Sequence, residues 1–178
     1  MLSPRRREAL AAQIETLAIG YSYIEISPAE IDRVVLTGKR LHRLNLLEAQ
    51  AMAKAIEALK PNLAYVDASD VKPERFRQQI KNLLTFNAEI VSEHKADQKY
   101  PAVSAASILA KVRRDHRIKQ LHEKHGDLGT GYPNDPKTLK FLKTLITRDP
   151  LPDYVRKSWK TVKRLTQEAK QRRRPTYI

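Results

Sequence analysis

Two aspartates stand where apolar runs hand over to polar ones. Asp67 follows the run in "NLAYVDASD", and Asp97 lies inside "SEHKADQKYPAVSAASILAKVRRDH", where a dense polar cluster gives way to small and aliphatic residues. Carboxylates that converge repel one another unless a cation lies between them, and oxygen-only ligation suits Mg²⁺ or Mn²⁺. In a strongly basic chain this combination is expected of a nuclease, in which the metal activates water and stabilises charge at phosphorus. A plainer local reading is also open: an Asx-turn at Asp67 and a helix cap at Asp97.

The elements that must position these acids decide whether they meet. "NLAYVDASD" reads as a buried strand ending in acids. Pro73 starts a helix that runs to about Phe86 with Phe76, Ile80 and Leu83 inward, and "AEIVSE" from Ala88 to Glu93 forms a second strand. Strand, helix and strand at this spacing make a βαβ crossover with parallel strands. Both strands then finish at one sheet edge, where open α/β sheets bind their ligands. Asp67 and Asp97 converge there.

The flanking chain is mostly helical. Ser3-Pro4 opens a helix with Leu10, Ile14 and Leu17 on one face, and Arg5, Arg6 and Arg7 sit at the end where the helix dipole favours acids. "IGYSYIEIS", Ile19 to Ser27, reads as a strand. Two helical pieces follow, the second with capping-box spacing at Asn45 and Glu48 and an apolar stripe at Leu47, Ala51, Ala55 and Leu59. Pro101 begins a long helix with Val103, Ala106, Ala110, Ile118 and Leu121 on its apolar face and Gly126 as C-cap. Beyond the glycine-rich "GDLGTGYPNDP", Asp135-Pro136 starts a helix to about Thr147, and a last helix begins near Ser158 and enters "KQRRRPTYI".

Other side chains carry less. Lys95 and Lys99 flank Asp97 and either touch phosphate or are simply solvated. Tyr132 either stacks on or hydrogen-bonds a nucleotide, or packs within its loop. His122 and His125 in "HEKH" lie three apart rather than the four of a zincin helix, and read as surface histidines.

Composition narrows the class. The chain has 178 residues, enough for one domain with its own core. Its 34 Lys and Arg against 20 acids give a net charge of +14, and Asp153 to Ile178 hold nine basic and two acidic residues, half of that excess. Such a terminus suits a polyanionic partner or serves solubility. The absence of cysteine excludes a disulfide framework and a thiolate zinc site. No run approaches the ~20 apolar residues of a membrane span, and the start has no signal-peptide core. A cytoplasmic protein is expected.

"YVDASDV", "EHKADQKYPAVSAASILAKVRRD", "GTGYPNDP" and "SWKTV", in this order and spacing, resemble ribonuclease HII, closest to its archaeal branch, from Leu2 to about Leu165. The resemblance implies an α/β, ribonuclease-H-like mixed sheet with a helical C-terminal extension. It also implies Mg²⁺- or Mn²⁺-dependent endonucleolytic cleavage of RNA in RNA–DNA hybrids, and at ribonucleotides embedded in duplex DNA, leaving 5′-phosphates. Asp67 and Asp97 match two of the family's four metal-binding carboxylates, and Tyr132 matches the tyrosine that packs at the ribose. The family's opening strand, Asp-Glu-Ala-Gly-Arg-Gly, with the other two acids and a phosphate-gripping arginine loop, occurs nowhere in the sequence.

The expectation is therefore a sheet lacking its first two strands. Residues 1–150 form an incomplete catalytic domain and 151–178 a basic extension. Open apolar strand edges then favour self-association, where the complete pattern is a monomer. Little cleavage is expected from this chain alone. The alternative is a basic nucleic-acid-binding fragment without catalysis.

Overall fold

The computed structural model describes residues 2–37, 42–147 and 150–172. The last part of the basic tail, 173–178, lies outside the described residues. The chain divides into two compact units, one of residues 1–26 and 38–114, the other of 27–37 and 115–178.

The first unit contains α1 (Pro4–Leu17), α3 (His42–Leu59), β1 (Leu63–Asp67), α4 (Pro73–Lys81), β2 (Glu89–Glu93), the short α5 (Ala96–Lys99) and the start of α6 (Pro101–His125). β1 and β2 pair in parallel, Leu63 opposite Glu89 through Asp67 opposite Glu93, as the βαβ spacing requires. α3 and α4 pack on each other, and α4 on β2. Ala49, Ala53, Ile56, Val66, Phe76, Ile80, Ala88 and Ile90 form the core between them. Ser3 caps α1 as expected, its hydroxyl accepting the Arg6 N–H, with Pro4 in the first turn.

Four expectations change here. Ile19 to Ser27 forms no strand: a strand exists only through a partner, and among the described residues β1 pairs with β2 alone. Ile19 is fully exposed, and Tyr23 instead turns back, donating to Glu15 and lying under the Arg113 guanidinium. α4 stops at Lys81, because Asn82 takes the C-cap and ties its side-chain oxygen to Gln78 Nε2. Leu83 is exposed, and Leu84 and Phe86 pack on the core in its place. Asn45 lies inside α3 rather than at its cap, since its side-chain amide is drawn to buried Asp70. On α6 the buried residues are Leu109 and Val112, which meet Ala11, while Ala106 and Ala110 are exposed.

The second unit contains α2 (Pro28–Thr37), the rest of α6, α7 (Pro136–Leu145) and α8 (Lys160–Arg172). Ser27 and Glu30 cap α2 reciprocally: Glu30 N–H donates to the Ser27 hydroxyl, and Glu30 Oε2 accepts the Ser27 N–H at 2.8 Å. Leu142, Leu145, Val155, Val162 and Leu165 make its core. Buried Asp32 ties α2 to the turn before α8 by accepting the Lys157 and Ser158 N–H groups at 2.6 and 2.8 Å.

Candidate active site

β1 ends on Asp67 because Val66, the last residue buried in the core, leaves the next side chain at the strand's carboxyl end. β2 ends on Glu93, and the chain then turns through Lys95 at φ +56° into α5. This left-handed residue is the sharp bend that brings the following segment back over β1, and α5 packs on β1. Asp97 lies in the first turn of α5, with Lys95 rather than Asp97 in the cap position.

The two acids are linked through one bond. Asp67 Oδ1 accepts the Ala96 backbone N–H at 3.3 Å, across 29 residues of sequence. Ala96 is fully buried. Asp67 thus reaches the turn that carries Asp97 rather than its own downstream backbone, which sets aside the local Asx-turn. Among the described residues neither acid has a cationic partner.

The neighbouring charges are committed. Lys99 pairs with Glu93, and Tyr100 donates its hydroxyl to Glu93 Oε1 at 3.0 Å. Lys99 holds the Glu93 carboxyl below its usual range, with Tyr100 adding to the effect, and Glu93 in turn raises Lys99. Tyr100 stacks on Tyr65 of β1, with ring centroids 4.1 Å apart, and braces this edge. Lys95 is exposed, and no bond from its side chain caps α5.

Asp70, three residues beyond Asp67, is fully buried and accepts from Arg75, from the Lys72 N–H at 2.8 Å and from Asn45 at 3.2 Å. The Arg75 guanidinium, first, holds its carboxyl far below the carboxylate range. Asp70 is a structural anchor that ties the segment after β1 to α3 and α4. Its sequence signal was the acid-x₄-Arg spacing at the start of a helix.

The oxygen chemistry of Asp67 and Asp97 fits a hard divalent cation, but two carboxylates are few ligands for one. Among the described residues no group of three or more histidines, cysteines or acids could hold a metal.

Tyr132 belongs to the second unit, on the loop between α6 and α7, and is 47% exposed. The histidines of "HEKH" are not simply solvated. His122 Nε2 lies 2.8 Å from the Gly129 carbonyl, and His125 stacks on Tyr154 with centroids 4.5 Å apart. Among the described residues no helix is long and apolar enough to cross a membrane.

Comparison with known proteins gives this geometry its context. The family model for ribonuclease HII matches residues 1–162. Ribonuclease HII of Thermococcus onnurineus is 44% identical over 184 residues, covering 99% of this chain and 78% of that protein. The crystal structure of ribonuclease H2 from Pyrococcus horikoshii superposes with a TM-score of 0.83 at 38% identity, over 96% of this chain and 80% of that one. The ribonuclease HII in a complex with PCNA from Archaeoglobus fulgidus gives 0.80 at 39% identity, over 99% and 79%. Likeness of this length, in both sequence and fold, means that the chain belongs to the ribonuclease HII family, metal-dependent endonucleases that cleave RNA in RNA–DNA hybrids and at ribonucleotides in DNA.

Proposed function

We propose that Asp67 and Asp97 are the carboxylates with which this chain holds catalytic Mg²⁺ or Mn²⁺ against the RNA strand. The observation that carries the proposal is the Ala96 N–H bond to Asp67 Oδ1, which fixes the strand end and the turn bearing Asp97 to each other. When bound, the metal supplies activated water and charge stabilisation at phosphorus. The chain's own part is to keep two unpaired carboxylates at one sheet edge, where no protein cation neutralises them. Lys99 takes up the charge of Glu93, so that acid adds little further repulsion to the pair. Exposed Lys95 meets the phosphate backbone, Lys99 reaches it only by leaving its pair with Glu93, and Tyr132 meets the ribose whose 2′-hydroxyl distinguishes RNA.

In this reading residues 1–150 form the catalytic domain, without the Asp-Glu-Ala-Gly-Arg-Gly strand, and 151–178 a basic extension that meets hybrid or ribonucleotide-containing duplex in the cytoplasm. Family membership does not favour a binding fragment without catalysis.

The test is incubation of the 178-residue chain with a duplex containing one ribonucleotide and Mg²⁺ or Mn²⁺. Weak metal-dependent nicking with 5′-phosphate ends, lost in Asp67→Asn and in Asp97→Asn, is expected. Nicking that persists in both variants, or that needs no metal, overturns the proposal.

A further inference from the structure

An exposed glycine-rich loop is ordinarily among the most mobile parts of a fold. The loop from Asp127 to Asp135 is instead bonded at nearly every turn. Gly129 and Gly131 both take φ +70°, a conformation that side chains other than glycine's adopt only with strain. Gly129 N–H donates to Asp127 Oδ1 at 3.0 Å, Thr130 N–H to Asp135 Oδ2 at 2.5 Å, and Gly131 N–H to Thr138 Oγ1 at 3.0 Å. The carbonyls are held as well: the buried Thr138 hydroxyl donates to Leu128 O at 2.9 Å, and His122 Nε2 approaches Gly129 O. Lys137 clamps Asp127 from outside at 2.8 Å.

Clearance is as tight as the bonding. A Cβ on Gly129 would stand 2.4 Å from Asp135 Oδ2 and 2.7 Å from Thr138 N, so the loop lies directly on the first turn of α7. The N–H of Thr130, above all, keeps the Asp135 carboxyl down at about 2, so it stays an acceptor at any working pH. Out of this bonded loop only the Tyr132 side chain is presented as a large exposed group. Ordering a loop during binding lowers affinity, and a loop ordered beforehand avoids that loss.

We propose that Thr138 and Asp135 are positioning residues for recognition of the ribonucleotide: from the start of α7 they lock the loop that presents Tyr132, so that the tyrosine meets the ribose already in place. This rests on the reading of Tyr132 given above. Neither residue needs to touch substrate.

The experiment measures, on the full chain, the ratio of affinity for a duplex with one ribonucleotide over the same duplex in all-DNA form. Backbone hydrogen exchange at Thr130 and Gly131 is followed in parallel. Thr138→Val, which keeps the shape and removes the hydroxyl, is expected to lower the ratio about fivefold and to speed exchange at Gly131. Thr138→Ser restores both. Should Thr138→Val unfold the chain, Asp135→Asn decides instead, since asparagine still caps α7 while presenting an amide to Thr130 N–H.

A ratio unchanged in Thr138→Val (or in Asp135→Asn) while it falls in Tyr132→Ala overturns the positioning role alone. A ratio unchanged in Tyr132→Ala, or equal to one in the unmodified chain, overturns the reading of Tyr132 and the positioning role with it.

Discussion

Asp67 accepts a hydrogen bond from the backbone N–H of Ala96, 3.3 Å away and one residue before Asp97. The bond joins the carboxyl end of one parallel strand to the turn after its neighbour, the edge at which α/β sheets place their chemistry. The bond engages Oδ1 of the Asp67 carboxylate.

Asp70 ties the segment after β1 to α3 and α4, and its loss should be felt in stability before activity. Asp70 is buried but the Arg75 side chain is 39% exposed, so removing the acid turns Arg75 to water and leaves chiefly the Lys72 N–H and the Asn45 amide without their acceptor. Asp70→Ala is expected to lower Tm by roughly 5 °C, measured by thermal denaturation at neutral pH. An unchanged Tm would show that these donors find water as well.

The same carboxyl sets an acid limit. Its pKa is depressed in the folded chain, chiefly by Arg75 and then by the Lys72 N–H, so its contribution is fully present above the unfolded value of about 3.9 and is lost as pH falls below it. Tm should decline more steeply below about pH 4 in the unmodified chain than in Asp70→Asn. Parallel curves would assign acid sensitivity to other groups.

In the second unit, Asp32 accepts two backbone N–H groups at the turn before α8. Asp32→Ala leaves both donors without that partner and should cost about 2 kcal/mol in denaturant unfolding. An undiminished unfolding midpoint would contradict the role given to this buried acid.

Among the described residues β1 pairs with β2 alone, and its residues Leu63 and Tyr65 are 39% and 37% exposed. The N–H of Ala68 and the carbonyl of Asn62 bond to the β2 side, so alternation turns the backbone of Leu63, Tyr65 and Asp67 toward the other edge. Sedimentation velocity should show association that rises with protein concentration and weakens in Tyr65→Lys, because an edge lysine opposes strand pairing. A concentration-independent monomer would count against an open edge.

The sequence made part of this plain and hid the rest, for physical reasons. The βαβ unit was legible because Pro73, the apolar runs and the strand lengths are local signals, and the parallel orientation of β1 and β2 follows from them. Asp135-Pro136 and Ser3-Pro4 were legible for the same reason. The stretch from Ile19 to Ser27 has strand composition, but composition cannot supply a partner. Asn45 carried a cap signal that buried Asp70 overrode from 25 residues away. From sequence the candidate site read as two acids following parallel strands, whereas the Ala96 bond and the commitment of Lys99 to Glu93 depend on the left-handed bend at Lys95. The loop beneath Tyr132 read only as glycine-rich, because its order comes from Thr138 and Asp135 on the following helix.

The central claim is that Asp67 and Asp97 act on one cation together. Its most direct measurement is Mn²⁺ binding to the full 178-residue chain, followed by electron paramagnetic resonance in the unmodified protein and in Asp67→Asn and Asp97→Asn. With only two carboxylates the affinity should be weak, on the order of millimolar, and either single substitution should abolish the bound signal. Bound Mn²⁺ that survives unchanged in Asp67→Asn or in Asp97→Asn would contradict the account.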